Sequence, residues 1–253
     1  MSHRLVRLGI TALGAGALIA PVAVAVAPGS AAVTVSGSMI RATGQRSTNW
    51  SGYALAGSYS SISGSWTVPE VTPTAASAYS STWVGIDGLA NQNLIQAGTE
   101  SDVINGVTHY DAWWEILPAA ERVVRRVVVR PGDHISASIS RGAGKKWAIT
   151  LTDTTSGTAF TVDRDYKGLG TSAEWIEERP EIGRSLSALA DYGSTTFTGL
   201  TADDTVPGLV PADALSMVVS TGSPAISTPS APSTHGDAFT VSYGQVTPPA
   251  PAG

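Results

Sequence analysis

The sequence predicts an all-β protein whose strands form a sandwich of two antiparallel sheets. The 253-residue chain contains 27 glycines, many serines and threonines, and only 14% charged residues, a composition that disfavours helices. Short apolar or alternating segments recur about every 8 to 12 residues, and turn residues separate them. Hydrophobic residues make up 42% of the chain, enough to fill one core, and we find no internal repeat or second domain.

The two ends of the chain differ in composition from the rest. Basic residues followed by an uncharged apolar run and small residues near Ala27 and Ala32 predict a secretory signal peptide over residues 1–32. A retained membrane anchor is the alternative, although the many alanines and glycines make a poor spanning helix. Residues 33–46 read as a spacer or short pro-segment, and 246–253 as a disordered tail. The folded domain is therefore expected over residues 47–245, in a secreted protein without membrane contact.

The first strands are expected at Asn49–Leu55, which begins with aromatic residues, and at Ile62–Val68, which alternates strictly until Pro69. Two apolar runs come next, one over Ala78–Asp87 and one around Gln96. A connection rich in Gly, Asn and Asp joins them, which indicates an antiparallel pair.

Each run of this pair carries one polar side chain, Asp87 and Gln96. A polar group left unpaired in a buried strand costs roughly 1 to 3 kcal/mol, so each must find a partner or face a cleft. A buried glutamine that ties two strands together is the purely structural interpretation.

The segment Thr108–Leu117 is the next expected strand. Alternation places Asp111, Trp113 and Glu115 on one face of it, an arrangement that suits the floor of a polar cleft better than a core.

Further along, the valine-rich segment Arg122–Arg130 favours a strand with its arginines on a solvated face. Clean alternation then predicts a three-stranded meander over Ile135–Arg141, Trp147–Asp153 and Thr158–Asp165. The Ser/Pro-rich segment Ser223–Ser233 is expected to be a surface loop.

The last strands begin with the run Ser172–Pro180, which alternates over Ala173–Glu178 and is closed by Pro180. They continue with a strand pair or bent strand over Leu189–Leu200, and then Leu215–Ser220 and Asp237–Tyr243.

Several kinds of chemistry are excluded. The chain has no cysteine, so it forms neither disulfides nor thiolate metal sites. A net charge of -5 without basic clusters argues against nucleic acid. His109, His134 and His235 lack ligand spacing, so we expect no metal and no cofactor. Serine-hydrolase, zinc-peptidase, phosphate-loop and aspartic-protease motifs are all missing, which leaves carboxylates, an amide and tryptophans.

Five ordered segments make the sequence recognisable: Asn49–Tyr53, Trp83–Gly88, Leu94–Gly98, Tyr110–Glu115 and Ala173–Glu177. Together they resemble the glutamic peptidases, the eqolisins of peptidase family G1, over about residues 49 to 243. The resemblance is to a secreted, bacterial-type member, and the chain departs from fungal members, which carry disulfides and a long pro-segment. It implies a concanavalin- or lectin-like sandwich bent around a substrate groove, acting as a monomer on proteins or peptides.

The resemblance also implies roles for particular residues. Gln96 and Glu174 correspond to the catalytic dyad, and the residues that line or support the site are Trp83, Asp87, Asp111, Trp113 and Glu115. A glutamine amide does not titrate, but it can donate to a developing oxyanion. Glu174 can take a proton from the attacking water and return it to the amine, or it can start protonated and donate first. Nearby acids and tryptophans should raise the pKa of Glu174, so we expect an acidic optimum.

Two other functions fit some of the same residues. A β-sandwich with tryptophans and paired carboxylates also suits a carbohydrate-binding module or a glycoside hydrolase. A secreted relative without catalytic activity is the third interpretation.

Overall fold

The computed structural model describes residues 45–252, which form a β protein with one short 3-10 helix over Pro211–Asp213. The strands, in chain order, are β1 (Arg46–Ser47), β2 (Trp50–Ala56), β3 (Ser61–Thr67), β4 (Ser81–Ile86), β5 (Ile95–Ile104), β6 (Val107–Ile116), β7 (Arg122–Val123), β8 (His134–Arg141), β9 (Lys146–Asp153), β10 (Thr158–Asp165), β11 (Ser172–Glu178), β12 (Glu181–Ile182), β13 (Ser185–Leu186), β14 (Ser194–Ala202), β15 (Ala214–Val218), β16 (Ala225–Pro229) and β17 (Phe239–Tyr243).

The strands form two packed layers that belong to one continuous hydrogen-bonded path. One layer has the order β7-β6-β5-β4-β11-β2, and the other has the order β10-β9-β8-β3-β14-β17-β16. Strand β15 joins them, because it pairs with β2 on one side and with β16 on the other. Strands β4 and β5 face β8 and β9 across the interior. The predicted antiparallel sandwich is therefore confirmed, and only the short β1–β15 pair among the named strands is parallel.

The main core lies between the layers and follows from strand alternation. Val84 and Ile95 from one layer and Ile139 and Ile149 from the other are fully buried in it. The opposite face of the β4–β11 layer carries a second cluster, which contains three tryptophans and four aliphatic residues: Trp50, Trp83, Trp113, Ala54, Leu94, Ile176 and Leu215. This second face holds most of the residues singled out from the sequence.

Most expected strands form, with boundaries shifted by a few residues. The predicted meander appears as β8, β9 and β10, and the expected run Ser172–Pro180 appears as β11, which ends at Glu178. The expected strand or strand pair over Leu189–Leu200 is shorter, because regular pairing begins only at Ser194.

Two local predictions are wrong. The valine-rich segment is a strand only at Arg122–Val123, and then turns, with Val127 N–H donating to the carbonyl of Val124. Three valines of this segment are nevertheless buried: Val124, Val127 and Val129. They pack a loop against the core and do not belong to a hydrogen-bonded strand. The Ser/Pro-rich loop contains β16, whose Ser227 pairs with Tyr243 and is fully buried.

The expected signal peptide, and the spacer as far as residue 44, lie outside the described residues. The last two residues of the expected spacer are described, and Arg46 begins β1. Within residues 45–252, none of the helical structure is long and apolar enough to cross a membrane.

Candidate active site

The site is built from cross-strand rows on the tryptophan-bearing face of the β4–β11 layer. Strand β11 lies beside β4, β4 beside β5, and β5 beside β6, so residues in register form lines across the four strands. The first row consists of Glu174, Gly85, Gln96 and Glu115. The second row consists of Ile176, Trp83, Gly98 and Trp113. The third row consists of Glu178, Ser81, Glu100 and Asp111.

The first row brings together Gln96 and Glu174. They are separated by a single strand, so their backbones lie about 9.6 Å apart, twice the usual spacing of about 4.8 Å. The residue between them in register is Gly85, which has no side chain to fill the gap. The two side chains therefore stand on either side of the glycine, and the edge of Trp83 and a methyl group of Leu94 enter the space that it leaves.

Gly85 is required here by packing. A Cβ atom at this position would lie 2.8 Å from Cζ3 of Trp83 and 3.1 Å from Cδ1 of Leu94. Both side chains reach over the glycine and form apolar surroundings for Gln96 and Glu174. A strand residue without a side chain at this point is the usual sign of such a close approach.

Glu115 orients the amide of Gln96. The Nε2 atom of Gln96 donates a hydrogen bond of 2.8 Å to Oε2 of Glu115. An amide nitrogen has two hydrogens, so one N–H remains for another acceptor. Burial raises the pKa of Glu115 to about 8, and the bond from Gln96 opposes the rise only in part. Glu115 is thus an uncharged partner of the amide in acid.

The surroundings of Glu174 favour the uncharged form of its carboxyl group. Burial raises its pKa well above the ordinary value of 4.5, the Ser172 hydroxyl opposes the rise, and the charge of Asp87 adds to it. Among the described residues, neither carboxyl oxygen of Glu174 has a hydrogen-bond partner, and the same holds for Oε1 of Gln96. Buried polar atoms are almost always paired, so these three mark a place where another polar molecule belongs.

Both side chains of the pair are fully buried, whereas the sequence predicts a pair that faces an open groove. The reason is the second apolar cluster, since Trp83 and Leu94 lie over the gap and Leu89 and Leu117 pack at its edge. A polypeptide can reach the pair only when covering residues move.

Asp87 stands at the end of β4 and holds two loops together. Its carboxylate accepts hydrogen bonds from Tyr166 Oη, Gly170 N, Asn91 Nδ2, and both N and Oγ1 of Thr171, at 2.7 to 3.0 Å. Burial alone would raise the pKa of Asp87, but these donors outweigh burial and lower it below 3.8. Its positive φ of 70° turns the chain out of the strand. Asp87 therefore supports the loops on both sides of Glu174.

The remaining sequence-predicted residues lie in the other two rows. Trp83 and Trp113 are buried in the second row. Asp111 lies in the third row opposite Glu100, about 13 Å along the strands from the level of Gln96, and does not contact the pair. Burial raises the pKa of Asp111, which His109 and Arg125 oppose. Among the described residues, no group of three or more acidic or histidine side chains could hold a metal ion.

Sequence reasoning missed four contributors: Gly85, Tyr166, Trp50 and Glu178. Gly85 and Tyr166 carry no local signal, because their roles arise from neighbours on other strands. Trp50 and Glu178 could have been found. Glu178 follows Glu174 by four residues on the same face of an alternating strand, and Trp50 lies within a segment already recognised.

Comparison with known proteins supports a specific family. Residues 48–243 match the sequence profile of the Peptidase A4 family. Aspergillopepsin-2 of Aspergillus niger is 32% identical over 225 residues, which cover 78% of either chain. Scytalidopepsin B of Scytalidium lignicola is 30% identical over 136 residues, 51% of either chain.

Solved structures give the same result at the level of the fold. A scytalido-glutamic peptidase bound to a transition state analog inhibitor superposes with a TM-score of 0.65 at 24% identity, covering 78% of this chain and 98% of that one. The aspergilloglutamic peptidase of Aspergillus niger superposes with a TM-score of 0.55 at 32% identity, covering 66% and 99%. With a profile match over nearly all of the described residues and this shared fold, the chain belongs to the Peptidase A4 family.

Proposed function

We propose that this family member is a secreted acid endopeptidase in which Gln96 and Glu174 act together on one water molecule, without a covalent intermediate. The observation that carries the proposal is the first row, where the two side chains flank a glycine and leave three polar atoms without partners among the described residues. Its substrates are proteins or peptides, as membership of a peptidase family suggests.

Gln96 stabilises the oxygen of the scissile carbonyl. One N–H of its amide is bound to Glu115, which fixes the plane of the amide, and the other can donate to the oxygen as negative charge develops. Removing one such donor from a hydrolase typically lowers kcat by about 10²- to 10³-fold.

Glu174 moves the protons. Its raised pKa favours the cycle that starts with a neutral carboxyl group. One carboxyl oxygen gives its proton to the carbonyl oxygen while the other takes a proton from the attacking water, which yields a gem-diol and regenerates the acid. The acid then protonates the amide nitrogen and accepts a diol proton as the C–N bond breaks. Both carboxyl oxygens are free for these transfers.

Secretion is part of the proposal. It is supported by the basic, apolar and small-residue pattern of residues 1–32. The absence of cysteine agrees with the bacterial-type member suggested by the resemblance.

The test is cleavage of an acid-denatured protein at about pH 4 by the wild type, Gln96→Ala and Glu174→Gln. Glu177→Gln is the matched control, because Glu177 lies on the same strand but points into the sandwich interior, where it accepts from Thr82 at 2.7 Å. We expect cleavage by the wild type and the control, and a loss of about 10²-fold or more in the two dyad variants. Undiminished cleavage by Glu174→Gln would refute the mechanism, and hydrolysis of a glycan without proteolysis would favour the carbohydrate-directed alternative.

A further inference from the structure

Glu178 is a buried carboxyl group that joins three donors from the first two motifs. Its Oε1 accepts from Asn49 Nδ2 and Trp50 Nε1, both at 3.1 Å, and its Oε2 accepts from Trp83 Nε1 at 2.8 Å. The side chain is 1% exposed, so water does not compete for these bonds. Three bonds to one buried carboxyl group define the positions of both indole N–H groups.

The two indoles also contact each other. Trp50 and Trp83 pack edge to face, with ring centroids 5.0 Å apart and an interplanar angle of 81°. Such pairs contribute about 0.5 to 1.5 kcal/mol beyond their area burial. Glu178 and the two rings therefore form one rigid unit, which we call the indole clamp.

The indole of Trp83 links the third row to the first. Its Nε1 is bound to Glu178, while Cζ3 on the far edge of the ring lies over Gly85, the residue in register between Gln96 and Glu174. An indole is planar and rigid, so fixing its Nε1 and its attachment to the backbone also fixes Cζ3. A rotation of the ring would change the space above Gly85.

We propose that Glu178 is a positioning residue that orients Trp83, and that through Trp83 it sets the gap between Gln96 and Glu174. This inference deepens the proposed function and rests on it. Glu178 does not touch the reacting atoms, and its effect on hydrolysis passes through one indole ring.

The direct test is Glu178→Gln. The amide oxygen of the new side chain should occupy the position of Oε1, where it accepts from Asn49 and Trp50. The NH2 group then takes the position of Oε2 and faces the N–H of Trp83. Both groups are donors, so no hydrogen bond can form between them. Trp83 is thereby released. Misplacement by about 1 Å at a catalytic site can cost about 100-fold in rate, so we expect kcat to fall about 10- to 100-fold, with a smaller change in KM.

A double-mutant cycle shows whether the effect passes through Trp83. Trp83→Phe keeps an apolar ring but removes the N–H donor, so on its own it should also lower kcat. In that background Glu178→Gln should lower kcat by less than about twofold further. Losses that multiply would overturn the inference. Should Glu178→Gln not fold, Trp83→Phe still tests the clamp, and unchanged kcat in that variant would contradict it.

A spectroscopic measurement keeps this inference separate from the peptidase assignment. The edge-to-face indole pair contributes to the near-ultraviolet circular dichroism, which needs no substrate. We expect Glu178→Gln to change this band while Glu177→Gln, the neighbouring buried acid on the other face, leaves both the band and kcat unchanged. A wild type that cleaves no protein defeats the proposed function, whereas an active wild type with a Glu178→Gln variant of unaltered band and kcat defeats the clamp.

Discussion

Asp87 and Glu174 are both fully buried carboxyl groups near the same end of one sheet face, but their surroundings differ in the number of hydrogen-bond donors. Five donor atoms from two loops surround Asp87, and its pKa is lowered. Neither carboxyl oxygen of Glu174 has a well-formed hydrogen bond among the described residues, and burial raises its pKa well above 4.5 although the nearby Ser172 hydroxyl opposes the rise. Burial penalises charge in both, so the donors decide which acid is ionised.

Other buried acids of this layer fall between these limits. Glu178 has three donors, and burial raises its pKa to about 7. Glu115 and Glu177 have one side-chain donor each, and burial raises each pKa to about 8. Among Asp87, Glu178, Glu115 and Glu177, the pKa rises as the number of side-chain and backbone donors falls. The donors around Asp87 hold the structure, whereas under the proposed mechanism Glu174 uses its unbonded oxygens for proton transfer.

The largest expected effect is on stability as a function of pH. Glu178, Glu115, Glu177 and Glu174 have folded pKa values above the ordinary 4.5, so the folded protein keeps protons that the unfolded chain releases. Their contribution is complete below about pH 4.5 and is lost as the pH rises to about 8 and beyond. Each such acid lowers the free energy of unfolding by about 1.4 kcal/mol per pH unit within its window.

The contribution of Asp87 to the free energy of unfolding has the opposite pH dependence. It is present above pH 3.8, the pKa of this group in the unfolded chain, and is lost as the pH falls through the lower pKa of the folded state. Thermal unfolding between pH 2 and pH 9 should therefore show a maximum near pH 4 and a steep decline towards pH 8. A melting temperature that is constant or rises from pH 4 to pH 8 would contradict the assignment of these acids.

The second prediction separates chemistry from stability at Glu174. Glu174→Gln replaces a neutral acid by a neutral amide of similar shape, so at pH 4 the free energy of unfolding should change by less than about 1 kcal/mol. The rate of peptide hydrolysis should fall by about 10²- to 10⁴-fold, which corresponds to about 3 to 5 kcal/mol. Urea unfolding and initial rates on the same sample measure both. A stability loss as large as the loss in activation free energy would make Glu174 a structural residue.

The third prediction concerns Asp87, where we expect a substitution to lower the stability of the fold. Asp87→Asn removes the charge and leaves one or more of the loop donors without an acceptor. Loss of bonds to a buried charged group should lower the free energy of unfolding by about 3 kcal/mol at pH 6. Urea unfolding checks the value, and the matched variant Asp163→Asn, on the exposed part of β10, should stay within about 0.5 kcal/mol.

The smallest effect concerns the space over Gly85, between the positions of Gln96 and Glu174 in register. In Gly85→Ala the added methyl group meets Trp83 and Leu94, and overpacking of this kind costs about 1 to 3 kcal/mol. The shift of Trp83 should also lower the hydrolysis rate. Gly142→Ala is the control, since its nearest neighbour is at 3.4 Å and its φ is ordinary. Equal melting temperatures and rates for the two variants would show that the space above Gly85 does not matter.

Local sequence patterns were sufficient for the fold class and for the faces of single strands. Alternation placed Asp111, Trp113 and Glu115 together on one face of β6, where the structure has them. It failed at Val124–Val129, where valines pack as a loop, because hydrophobicity reports burial and not the hydrogen-bond ladder. It also failed at β16, whose polar side chains are satisfied by partners distant in the chain, such as Tyr192 Oη at Ser227.

The sequence by itself determined the sandwich, the alternation within each strand and the identity of the family, because these depend on residues close together in the chain or on motifs in a fixed order. Only the tertiary structure decided that β11 lies between β2 and β4. That neighbour relation puts Glu174 one strand away from Gln96, surrounds Asp87 with donors from the loop after β10, and places Glu178 at two indole N–H groups. Pairing of distant strands is set by the packing of the whole sheet, and no local pattern specifies it.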